Sequence, residues 1–231
     1  MTMKLVLFDI DGTILLTGGA GKRAMDRALV EVFGSSGPND HPFGGKTDPQ
    51  IVRELMRIDG HEDPHIDSQM TELLDRYVAY LDQEIDADSS KVETMPGIHE
   101  LLDALDARDD VIVGLLTGNL VAGAKTKLRA VGIDFSRFKV GAFGSDHEAR
   151  GELPAVAQRR AREELGVDIP GRHVIVIGDT PADIHCGQSI GARAIAVATG
   201  HFSVEQLQAH DPAVVFEDLS DTAAVIDAII A

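Results

Sequence analysis

The chain has a single cysteine, Cys186, so it can form neither an internal disulfide nor a multi-cysteine metal site. That usage fits a reducing compartment, and Cys186 reads as a small packed side chain rather than a reactive thiol. Positive charge is also scarce. The 21 lysine and arginine residues face 38 aspartate and glutamate residues, for a net charge of −17. A phosphate backbone or an anionic membrane needs a basic footprint, so neither nucleic acid nor a membrane is an expected partner. The sparse lysine fits either a solvated acidic surface or a salt-adapted source. No apolar run approaches the length of a membrane span, and the strand pattern begins soon after Met1 without a charged leader or small-residue cleavage site. These features lead to the expectation of a cytoplasmic protein. There is no internal repeat or low-complexity tract.

What is present suits a packed α/β protein. Hydrophobic residues make up 44 % of the 231, enough for a sizeable core. Apolar, strand-like runs occur at Lys4–Phe8, Val111–Leu116, Phe138–Phe143, His173–Ile177 and Arg193–Ala198. Helical patterns at Asn119–Val131 and Pro154–Leu165 separate the later ones, with Gly132 and Gly166 placed as stops. Strands alternating with helices predict a doubly wound parallel sheet. In such sheets ligands bind outside the carboxyl ends of the strands.

The interval between the first strand and Val111 is too long for one crossover. It reads as helices over about Ala20–Phe33, Pro49–Ile58 and Ile66–Ile85, joined by turn-rich segments such as "GSSGPNDHPFGGKTD". The expected organisation is an α/β core of residues 1–16 and 96–231 with an inserted helical cap of residues 17–95, serving as a lid.

Three strand ends carry chemistry. The first, "KLVLFDIDGT", ends a buried strand in two carboxylates, which is costly unless a cation or a reaction uses them. Asp9 can face a substrate while binding a hard cation such as Mg2+, and Asp11 can give and take protons. Gly12 permits the turn and Thr13 can tie the loop. Such a pair can split a displacement into two steps through an aspartyl-phosphate, although a plain strand followed by an Asp-Gly turn has the same look. The second end, "VGLLTGN", offers Thr117 and the backbone N–H groups near Gly118 and Asn119 for a phosphate, or for ordinary helix capping. The third, "VIVIGDTPAD", places Asp179 and Asp183 four apart across a turn, with one carboxylate for a cation and the other to orient it or to cap the helix.

Taken together, DxDGT, TGN and GDxxxD in this order resemble the haloacid dehalogenase-like superfamily. The helical insertion, "GGKTDPQI" and "ATGHFSVEQL" are similar to its phosphoglycolate phosphatase-like branch. The resemblance implies a Rossmann-like core with a helical cap, and a Mg2+-dependent phosphatase acting on a small phosphorylated metabolite, as a monomer or a homodimer. It implies that Asp9 is the nucleophile and a metal ligand, and that Asp11 is the general acid/base, with its carbonyl on the metal. Thr117, with Gly118 and Asn119, would bind phosphate, while Asp179 would hold the metal and Asp183 support it. Dehalogenase members generally lack the second aspartate, so Asp11 favours phosphoryl chemistry. Hexose-phosphate mutase and a non-catalytic phosphometabolite-binding module are the alternatives.

One departure from the pattern concerns the family's lysine between the third and fourth strands. The segment "GSDHEARGELPAVA" has none, and Arg150 is the substitute expected there, with a fork suited to phosphate. Lys125 and Lys127 are expected to point elsewhere. In the insertion, Lys46, Thr47 and Asp48 precede a helix and are candidates for reading the rest of the substrate. Lys22 and His201 are weaker candidates.

Overall fold

The computed structural model describes residues 2–231. Six parallel strands form one sheet in the order β5-β4-β1-β6-β7-β8, comprising β1 (Lys4–Phe8), β4 (Val111–Thr117), β5 (Val140–Phe143), β6 (Val174–Gly178), β7 (Arg193–Val197) and β8 (Val214–Phe216). Strand β1 is central, paired with β4 from Lys4↔Val111 to Phe8↔Leu115 and with β6 from Leu5↔Val174 to Phe8↔Ile177. Its side chains alternate between two cores. Val6 and Phe8 pack with Leu101, Leu105, Leu128, Val225 and Ile229 on one face. Leu5 and Leu7 pack with Ala157, Ala161 and Cys186 on the other. Burial on both faces explains why the strand reads as an unbroken apolar run.

The helices that cover the sheet are α4 (Ile98–Asp106), α5 (Val121–Ala130), α6 (Leu153–Leu165), α7 (Pro181–Cys186), α8 (Val204–Gln208) and α9 (Thr222–Ile230). Gly166 ends α6 in the left-handed conformation that its lack of a Cβ permits. The chain winds from β1 to β4 and β5 on one side and then to β6, β7 and β8 on the other. The crevice at the carboxyl end of β1 is therefore the switch point of the sheet. Sequence patterning does not single out β8, whose three residues are only half-buried.

Helices α1 (Ala20–Phe33), α2 (Asp48–Ile58) and α3 (Asp63–Ala87) pack around a separate core that includes Ala24, Leu29, Leu55, Leu73, Tyr77 and Leu81. Helix α2 starts where Thr47 accepts the Gln50 N–H and Pro49 occupies the first turn. This unit joins the sheet through a ribbon of β2 (Leu15–Leu16) and β3 (Glu93–Thr94), paired antiparallel as Leu15↔Thr94 and Leu16↔Glu93. Among the described residues no helix is long and apolar enough to cross a membrane.

Candidate active site

Four strand ends meet at the switch point. Asp9 follows β1, Thr117 closes β4, the loop after β5 leads to Arg150, and Asp179 follows β6. Asp9, Asp179 and Asp183 are all buried, with carboxylate oxygens within 4.8 Å of one another. Burial, opposed by Arg150 and reinforced by Asp183 and Asp11, raises the pKa of Asp9. Burial together with Asp183 and Asp9 raises that of Asp179. Stacked carboxylates that resist ionising together form an environment a hard cation completes, since such cations take oxygen ligands. The donor set therefore fits a hard divalent cation.

Arg150 supplies the compensating charge that the protein itself provides. Its Nη2 lies 3.2 Å from Asp9 Oδ1 and donates to Asp183 Oδ1. Burial works against the charged guanidinium, yet Asp183 and Asp9 outweigh it and hold its pKa above the usual arginine value. Its Nε is buried without a protein partner, so one donor of the guanidinium is unused while Nη2 serves the two carboxylates. Asp183 is fully engaged. Its Oδ2 accepts from the N–H and hydroxyl of Thr180 in the capping box of α7, while its Oδ1 takes the arginine. It thus caps the helix and orients Arg150 at once.

Backbone fit brings these groups together. Gly12 has φ 82°, and a Cβ there would stand 2.3 Å from Asp179 Oδ2, so both conformation and space exclude a side chain. Thr13 donates its hydroxyl to Asp179 Oδ1 at 3.3 Å, and Thr199 donates to the Gly12 carbonyl. Thr117 is wholly buried, and its hydroxyl oxygen accepts from Asn119 Nδ2 at 2.7 Å and from the Asn119 N–H at 3.3 Å.

Asp11 lies across the site from Arg150 and has a different cation. Lys127 Nζ donates to both of its oxygens at 2.7 Å and to Asn119 Oδ1 at 2.6 Å, while Asn119 Nδ2 donates to Asp11 Oδ2 at 2.7 Å. Lys127 points inward, contrary to the reading from sequence. The reason is visible in the spacing, since Ala124, Lys127 and Leu128 at i, i+3 and i+4 form the buried face of α5. Lys125 stands instead over the Phe135 ring.

The segment before α2 roofs the site. Lys46 is held by Glu54 and His41. Thr47 donates to the Glu148 carbonyl at 2.6 Å, the Asp48 N–H donates to the Gly118 carbonyl at 2.8 Å, and the Asp48 carboxylate accepts the Leu120 N–H at 2.9 Å. Gly118 has to be glycine, because a Cβ there would stand 1.9 Å from the Lys46 carbonyl oxygen. Arg53 adds two bonds to the Glu148 carboxylate at 2.7 and 2.9 Å. Lys22 pairs with Asp26, and His201 is exposed.

Comparison with known proteins finds relatives over nearly the whole chain. An N-acetylmuramic acid 6-phosphate phosphatase from Pseudomonas aeruginosa is 31 % identical over 216 residues, covering 91 % of this chain and 88 % of that protein. The pyrophosphatase PpaX of Oceanobacillus iheyensis is 22 % identical over 227 residues, 98 % of each chain. The crystal structure of a β-phosphoglucomutase from Clostridium difficile shares the fold, with a TM-score of 0.72 at 16 % identity, covering 100 % of this chain and 98 % of that one. A family model described as haloacid dehalogenase-like hydrolase matches residues 3–191, a span containing the acidic cluster, both cations and the whole helical insertion, and the chain belongs to that family.

Proposed function

We propose that this hydrolase is a Mg2+-dependent phosphatase that cleaves a small phosphate monoester through an aspartyl-phosphate on Asp9, with residues 17–95 as the cap. The observation that carries the reading is the placement of Asp9 at the switch point, in contact with Arg150 and within reach of Asp179 and Asp183. Asp9, the Asp11 carbonyl and Asp179, with Asp183 in support, would hold Mg2+, which would supply positive charge that lets an anionic phosphate approach an anionic nucleophile.

In the first step an Asp9 oxygen attacks phosphorus, and the bond from phosphorus to the ester oxygen breaks. The departing oxygen keeps the electron pair and takes a proton from Asp11. The guanidinium of Arg150, the Thr117 hydroxyl and the N–H groups of Gly118 and Asn119 stabilise the transferring group. In the second step water attacks phosphorus, Asp11 takes its proton, and inorganic phosphate leaves with Asp9 restored. Lys46, Thr47 and Asp48, with the rest of the roof, exclude bulk water and present a wall to the leaving group.

The likeness to a β-phosphoglucomutase fold keeps hexose-phosphate mutase as the second reading. Phosphate release from a panel of small monoesters, with and without Mg2+, separates the two. Asp9→Asn is expected to abolish release, by about 10^4-fold or more, in a folded protein. Undiminished release from that variant refutes the mechanism. Isomerisation of a hexose phosphate without net release selects the mutase, and binding without turnover of any ester selects a non-catalytic module.

A further inference from the structure

Lys127 has no role in the scheme above, yet it is only 3 % exposed. A buried ammonium costs several kcal/mol to desolvate unless its protons are used, and here each of them finds an oxygen, two on Asp11 and one on Asn119. The cap closes over this group. A methyl group added at Gly21 in α1 would stand 3.8 Å from Lys127 Nζ and 3.9 Å from the Tyr77 hydroxyl of α3.

The arrangement does more than form an ion pair. Asn119 accepts from Lys127 with its carbonyl and donates to Asp11 and Thr117 with its amide nitrogen, so ammonium and amide lock each other while both grip one carboxylate. That carboxylate belongs to a side chain 43 % exposed, so burial alone does not fix its direction. Arg150 does not take over this task, because it is committed to Asp9 and Asp183.

We propose that Lys127 is a positioning residue for Asp11, fixing, together with Asn119, the direction in which its carboxylate meets the ester oxygen and the attacking water. The inference rests on the acid/base role assigned to Asp11 above. Proton transfer falls steeply with misplacement, and an error of about 1 Å can cost about 100-fold in rate. An alkyl leaving group needs the proton, whereas an acyl leaving group departs without it.

The test compares kcat/KM, which reports the first phosphoryl transfer, for the best alkyl monoester of the panel and for acetyl phosphate. Lys127→Met is expected to lose about 10- to 100-fold on the alkyl ester and less than about threefold on acetyl phosphate. Equal losses on both substrates, or none on either, overturn the proposal, because a role in folding or in phosphate binding is blind to the leaving group. If Lys127→Met fails to fold, Lys127→Gln, which keeps an N–H donor, is judged by the same ratio. Wild-type protein inactive on both compounds removes the phosphatase reading and this role with it, whereas active wild type with equal losses removes this role alone.

Discussion

The floor and the roof of the site use their polar groups in opposite ways. In the floor, Asp9, Asp179, Asp183 and Arg150 are side chains facing other charged side chains, and the carboxylates outnumber the guanidinium. In the roof, Thr47 and Asp48 bond backbone groups of Glu148, Gly118 and Leu120, and Lys46 is spent on Glu54 and His41. The floor is thus left with unbalanced charge suited to chemistry, and the roof with satisfied bonds suited to closure.

Three experiments test that division. The largest effect is expected from Arg150→Met. Breaking a buried ion pair by removing one partner costs about 3–5 kcal/mol, and losing an electrostatic stabiliser of the transferring group costs about 10^2- to 10^3-fold in kcat. Arg150→Lys should recover part of both, as read by thermal melts and turnover. Near-normal turnover in Arg150→Met would mean that the floor's charge is structural only.

Next comes Asp48, which stands between the two halves. Burial, opposed by Lys127 and the Leu120 N–H, pushes its pKa up from 3.8 to about 6. Below pH 3.8 both folded and unfolded states hold the proton and nothing is lost. As pH rises towards 6 the unfolded chain releases it first, so stability falls, and above that the full cost of about 3 kcal/mol applies. Asp48→Asn should therefore raise the melting temperature more at pH 8 than at pH 5. An equal rise at both pH values would show that the roof does not bear this charge.

The smallest of the three is metal linkage. Mg2+ at about 100 times its dissociation constant should stabilise the folded protein by about 2.7 kcal/mol. Asp179→Asn should remove that response, while Asp48→Asn should keep it. A melting temperature indifferent to Mg2+ would leave the acidic cluster without its cation.

Much of this arrangement is legible in the sequence, because strands buried on both faces announce themselves as apolar runs and their ends carry the chemistry. The parallel sheet and the helices over Ala20–Phe33 and Pro154–Leu165 follow from the apolar pattern and its stops, the latter starting one residue earlier, at Leu153. Strand β8 escapes because three half-buried residues have too little pattern, and the β2–β3 ribbon because two residues per strand have none. Lys127 is misread because a lysine on a helix is taken for a surface residue. Its i+3 relation to Ala124 and its place beside Leu128 do mark it as inward, if the apolar face is counted before the charge. The grips of Thr47 and Arg53 on Glu148 lie 101 and 95 residues apart in sequence, and no local pattern encodes them.

Gly45, with φ 75°, lies against the core so closely that a Cβ there would stand 2.6 Å from the Ala182 Cβ and 3.0 Å from Thr180 Oγ1. The seal between lid and core therefore has a tolerance smaller than one methyl group. A side chain at this position would push the two surfaces apart. On the proposed mechanism water is the reagent of the second step but a competitor in the first, so a close joint here would serve to keep bulk water out while the ester is cleaved.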